Sequence, residues 1–91
     1  DALPILLKEV RFELERSEES MWAALNPQEV IAILTKEIES LETTQRFANM
    51  KVLTSLFLPT AEIQEISMAS GWSERYLALS TRFDSALERC H

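Results

Sequence analysis

The side chains able to do chemistry in this chain are few and stand apart. The single His is the final residue, His91, and the single Cys is Cys90 beside it. A chain end is a poor place to hold a general base, and Cys90 has no second imidazole to activate its thiol. Two ligands side by side do not make a tetrahedral metal site. Carboxylate pairs such as Glu15/Glu19 and Glu62/Glu65 have helical spacing compatible with shared acid–base chemistry. They lack any accompanying His or Asp set and read as surface. There is no Gly-rich phosphate loop, nucleophile elbow or CxxC pair. The expectation is a protein that is not an enzyme and uses no cofactor and no metal.

Binding chemistry is better represented. Trp and Arg are enriched where partners anchor, and turns between helices lie at the surface. Trp72, Arg75, Tyr76 and Arg82 gather behind the only glycine and form the first candidate binding patch. Trp22 is the second tryptophan and reads as a packing residue at a helix end. Glu13 and Glu18, within an acidic face that also holds Glu9, Glu15 and Glu19, form a second candidate patch, echoed by Glu37, Glu39 and Glu42 further on. Acidic surfaces raise the association rate of cationic partners.

These residues must be positioned by a single small domain spanning residues 1–91. The chain has 91 residues, nine basic against fifteen acidic, for a net charge of −6. The acidic excess is spread over the whole chain, which disfavours nucleic acid as a partner. One Cys excludes a disulfide-stapled secreted fold and suits a reducing compartment, the cytoplasm. No run approaches the roughly 18 apolar residues of a membrane span. No basic segment precedes the apolar patch Leu3–Leu7 and no small-residue cleavage site comes after it, so no signal peptide is read there. One Gly and no Asn-Gly or Asp-Gly pair leave almost no tight β-turns. The fold class is therefore all-α, a four- or five-helix bundle.

The elements follow from periodicity. Leu3, Leu7, Val10, Leu14 and Met21 outline a first helix from about Leu3 to Leu25, interrupted at Ser17, with Pro4 tolerated in its first turn. Arg11 and Glu15 are spaced to pair along it. Asn26-Pro27 with Glu29 is a helix start: cap, N1 proline and N3 acid. The second stripe is Val30, Ile31, Ile33, Leu34, Ile38 and Leu41. It runs either as one long helix to Leu58 or as two helices broken between Thr43 and Asn49. The two long N-terminal segments should pair as an antiparallel hairpin. A short helix from Ala61 to Ala69, capped by Thr60, presents Ile63, Ile66 and Met68 or Ala69. Gly71 ends it in left-handed geometry. Ser73 caps a last helix to Cys90 with Tyr76, Leu79 or Ser80, Phe83 and Leu87 inward.

The stretch Ile66-Ser67…Gly71-Trp72-Ser73…Leu77 resembles a helix-turn-helix unit: a branched and a small residue before the turn glycine, an apolar residue after it, a cap, and an apolar residue six beyond. Ser67 stands where that family usually has Ala, Ser80 where it has a core aliphatic, and the second helix opens on Glu74. The resemblance implies a recognition helix opened by Ser73 with Arg75 and Arg82 toward bases or phosphates. At the level of composition the chain is also similar to small acidic helical proteins that neutralise basic toxins, the immunity proteins and antitoxins. The leading expectation is a non-enzymatic, acidic protein-binding module with a basic protein partner and a homodimer as its own assembly. A DNA-binding regulator is the alternative.

Overall fold

The computed structural model describes residues 2–18, 26–57 and 61–90. They form five helices: α1 Ala2–Glu15, α2 Pro27–Thr44, α3 Met50–Leu56, α4 Glu62–Ser70 and α5 Ser73–Cys90. No strand occurs among the described residues. The all-α bundle expected from the glycine count and the helical stripes is what the chain adopts. α1 packs most extensively on α2, α5 lies against α1 and α4, and α2 also meets α3 and α4.

α1 buries Leu3, Leu7, Val10 and Leu14 of the expected stripe, with Leu6 beside them. It stops well short of Leu25. The amides of Arg16 and Ser17 bond to the carbonyls of Glu13 and Leu14, and the Ser17 hydroxyl donates to the Glu13 carbonyl at 2.8 Å. A serine satisfying the last turn competes with helix continuation. Met21, Trp22 and Leu25 lie outside the described residues. Arg11 does not pair with Glu15; its guanidinium crosses to the Thr35 hydroxyl at 3.2 Å, because this flank of α1 faces α2.

α2 begins as its sequence predicts. The Asn26 side chain accepts from the Glu29 amide at 2.9 Å, and the Glu29 carboxylate accepts from the Asn26 amide at 3.1 Å, a complete capping box around Pro27. Val30, Leu34, Ile38 and Leu41 form its inward stripe.

Of the two expectations for the chain beyond Leu41, the broken helix is found. Gln45 takes a left-handed conformation with φ 60° and closes α2. Thr43 and Thr44 turn their hydroxyls back onto the Glu39 and Ser40 carbonyls, and the Ser40 hydroxyl donates to the Arg46 carbonyl at 2.6 Å. The break is held by Glu37, a residue expected on an acidic face. Glu37 is only 2% exposed, and its carboxylate accepts from the backbone amides of Ala48 (3.0 Å) and Asn49 (2.7 Å). Asn49 then caps α3 by accepting from the Val52 amide. An anion against the free amides at a helix start is favourable on two counts, hydrogen bonding and the helix dipole. The continued stripe through Gln45, Ala48 and Val52 therefore never forms; all are exposed, and α3 buries Leu53 and Leu56 instead.

α4 is capped by the Ala61 position without a side-chain bond, not by Thr60, which lies outside the described residues. It buries Ile63, Ile66 and the small Ser67, while Met68 and Ala69 are both exposed. Gly71 has φ 82° and directs its amide to the Ser67 carbonyl, the αL closure expected of the only glycine. α5 begins one residue earlier than expected. The Trp72 carbonyl accepts the Tyr76 amide at 2.9 Å, so the cap position falls on Trp72 and Ser73 is the first helical residue.

Candidate functional site

α5 is the element that decides what the candidate residues can do. Tyr76, Leu79, Phe83 and Ala86 are buried along one side. With Phe57 they form an aromatic core: Phe57 stacks on Phe83 at 4.0 Å between ring centroids and on Tyr76 at 6.2 Å, and Trp72 meets Tyr76 edge-on at 6.3 Å. The Tyr76 hydroxyl donates to the Phe57 carbonyl at 3.2 Å. Burial pushes the Tyr76 phenol above its ordinary value of 10, and the nearby Asp84 charge adds to this against the opposing Ser80 hydrogen bond. Trp72 is 9% exposed and donates its indole N–H to the Ser17 hydroxyl at 2.7 Å. The Glu18 amide donates to the Ser70 hydroxyl at 2.9 Å. Together these bonds fasten the end of α1 to the α4–α5 corner.

Next to this buried side, Arg75, Arg82 and Arg89 stand seven residues apart on one line of α5. The first two reach α1. Arg82 forms a forked pair with Glu9 (Nη2–Oε2 2.8 Å, Nη1–Oε1 3.3 Å). Arg75 bridges Glu9 and Glu13, each at 3.2 Å. The Arg82 hydrogen bond, helped by the charges of both guanidinium groups, holds the Glu9 carboxyl below its ordinary 4.5 despite some desolvation.

The outward side of α5 has the opposite character. Glu74, Leu77, Thr81, Asp84 and Glu88 succeed one another at steps of three and four and are all exposed. Leu77 is 58% exposed. The helix-turn-helix pattern requires that position inside; here Tyr76 and Leu79 fill the interior and Leu77 faces solvent.

The structure thus brings together five of the six residues singled out for partner binding, but toward one another. Trp72 and Tyr76 are core, and Arg75, Arg82 and Glu13 form the α1–α5 ion-pair network. Only Glu18 has an exposed side chain with no partner among the described residues, at the corner between α4 and α5. Sequence reasoning misses Glu9 as the hub of that network, and misses the outer stripe Glu74, Leu77, Asp84 and Glu88. The signal for both is present in the spacing of α5, where one helical line is basic and another acidic.

Among the catalytic candidates, Glu15 is exposed, Glu62 and Glu65 lie in the first turn of α4, and Glu19 and His91 are outside the described residues. Among the described residues no three His, Cys, Asp or Glu side chains group so as to hold a metal ion, and no helix is long and apolar enough to cross a membrane. The chain matches no protein-family model, no curated protein and no solved structure at a significant level.

Proposed function

We propose that the chain is a non-enzymatic protein-binding module whose partner is basic, in an immunity-, antitoxin- or adaptor-like role. The observation that carries this reading is the outer stripe of α5, where the exposed Leu77 shares one line with Glu74, Asp84 and Glu88 and no cation is paired to these acids among the described residues. Several of the chain's cations are engaged internally: Lys8 pairs with Glu42 at 2.7 Å, Arg75 and Arg82 with α1, and Arg16 lies over the Phe12 ring at 5.3 Å. The surface left for a partner is thus more acidic along α5 than composition alone implies. An exposed leucine on the same line as carboxylates supplies apolar contact within a field that steers cationic surfaces. The same arrangement weighs against the helix-turn-helix alternative, since phosphates would approach carboxylates.

The assembly and the setting rest on separate features. Ile5 and Phe12 are exposed by 60% and 55%, two turns apart on α1, and this is where we place the contact of a homodimer. The lone Cys supports a cytoplasmic setting.

The test is affinity capture from the source cell with the wild-type chain and with Glu74→Lys/Asp84→Lys/Glu88→Lys. A specific protein retained at low salt, weakened at high salt and lost in the triple variant supports the reading, provided circular dichroism shows the variant folded. Retention indifferent to the triple change overturns it. A salt-sensitive mobility shift of DNA, lost in Arg75→Ala, identifies the regulator instead.

A further inference from the structure

The geometry points to a binding site for a single phosphoryl group in the cleft between α1 and the C-terminal half of α5. The cleft has a volume of about 190 Å³ and is lined by Leu6, Thr81, Arg82, Ser85, Ala86 and Arg89. Its position arises from a mismatch between two helices. α5 repeats arginine at positions 75, 82 and 89, whereas α1 supplies carboxylates only at Glu13 and Glu9 along the facing flank. From Ala2 to Leu7 the chain is Ala-Leu-Pro-Ile-Leu-Leu, without an acid. Among the described residues the third arginine has no carboxylate opposite it, and Arg89 makes no ion pair and no hydrogen bond with them.

The donors around the cleft suit an oxyanion. Arg89 offers its whole guanidinium fork. Arg82 commits both Nη groups to Glu9 and keeps its Nε–H. Ser85 stands three residues after Arg82 and four before Arg89, on the same flank of the helix, and its hydroxyl is unengaged among the described residues. Thr81 has already given its hydroxyl proton to the Leu77 carbonyl at 3.0 Å, so it shapes the cleft rather than donating. Leu6 and Ala86 are buried and form an apolar floor. A guanidinium fork with a hydroxyl beside it matches several oxygens of one tetrahedral group, and guanidinium binds phosphoryl oxygens in pairs. The volume is below the roughly 300–1,000 Å³ of pockets for drug-sized ligands, so the site takes an end-group rather than a whole cofactor.

The site lies on the flank of α5 that faces α1 and meets the outer stripe at Thr81, which belongs to both. Glu9 sets its strength. By drawing charge from Arg82 it keeps the cleft weak in the wild-type chain, and removing that carboxylate frees a second guanidinium for the ligand.

The experiment is a titration of the folded chain, monitored by amide chemical shifts, with inorganic phosphate, O-phosphoserine and a phosphoserine-containing peptide, each against sodium chloride at equal ionic strength. Saturable shifts centred on Leu6 and on residues 81 to 89 are expected. Arg89→Ala should weaken binding by about tenfold or more and Ser85→Ala by a smaller factor, while Arg46→Ala, on the α2–α3 loop, leaves it unchanged. Glu9→Gln should tighten it. Tighter binding of phosphoserine or of the peptide than of inorganic phosphate assigns the group to a phosphomonoester or a phosphorylated chain; equal binding assigns it to free phosphate. No saturable shift, shifts reproduced by chloride, or shifts unchanged in Arg89→Ala overturn the site. Arg89 is exposed, so its variant tests binding and not folding.

Discussion

Replacing Glu37 should unfold the break between α2 and α3 before anything else. Its carboxylate bonds to two backbone amides, Ala48 at 3.0 Å and Asn49 at 2.7 Å, from a position only 2% exposed. Hydrogen bonds to a charged group contribute about 1.5–3 kcal/mol each. Ala48 and Asn49 are themselves exposed, so water recovers part of the loss once the carboxylate is gone. Glu37→Ala should then cost about 2–4 kcal/mol and Glu37→Gln, which keeps one acceptor, about 1–2 kcal/mol. For a chain of this length the first figure is a large part of a total stability of about 5–13 kcal/mol. It corresponds to a fall in Tm of about 10–20 °C. Urea denaturation monitored by circular dichroism measures the loss, and hydrogen exchange locates it. The amides of Ala48 and Asn49 should exchange faster in Glu37→Gln while those of α1 and α5 keep their relative protection. A loss below about 0.5 kcal/mol for Glu37→Ala would refute the reasoning, since no buried charge-assisted pair of bonds is that weak.

Other perturbations have equally definite outcomes. Glu9 has a folded carboxyl below its ordinary 4.5, so the stability it contributes is present above that value and is lost as pH falls through the folded value. Glu9→Gln should cost about 0.5–1 kcal/mol at neutral pH and flatten the acid limb of a stability–pH curve measured in urea. Tyr76 is shifted the other way, so its contribution is intact below 10 and declines as pH rises through its raised folded value. Tyr76→Phe should remove that alkaline dependence and cost about 0.5–1.5 kcal/mol for the bond to Phe57, read from the same curve. Gly71→Ala meets no atom within 4 Å of the new Cβ, so only the φ of 82° penalises it. The expected loss, measured by urea denaturation, is about 1–2 kcal/mol, and Gly71→Asn should lose less, because asparagine tolerates the left-handed region.

Much of the fold is legible in the chain because it depends on local rules. The α1 stripe as far as Leu14, the Asn26-Pro27-Glu29 start and the Gly71 stop each arise from the chemistry of neighbouring residues, and each is found. The break after Leu41 is legible only as one of two alternatives. Thr43 and Thr44 weaken a helix, yet the group that settles the matter is Glu37, whose partners lie 11 and 12 residues further along. Nothing in a helical pattern distinguishes a carboxylate turned to solvent from one turned to a distant loop. The cap of α5 falls one residue before the expected Ser73 for a milder reason: the carbonyl that starts α5 belongs to Trp72, whose position is set by its indole bond to Ser17.

The candidate site divides along the same line. Residue types and spacing suffice for an acidic, all-helical chain with its tryptophan, tyrosine and arginines clustered behind one glycine. They also place arginine at every second turn of α5 and carboxylates on another line of the same helix. Which of those lines meets α1 is settled only in the tertiary structure. Once α5 lies against α1, Arg75 and Arg82 neutralise Glu9 and Glu13, Trp72 and Tyr76 become interior, and Glu74, Leu77, Asp84 and Glu88 are left outside. Helical periodicity assigns residues to faces, whereas the identity of the opposing face is a long-range property. Here it is set by aromatic packing around Phe57 and by the reach of two guanidinium groups across an interface between segments more than 60 residues apart.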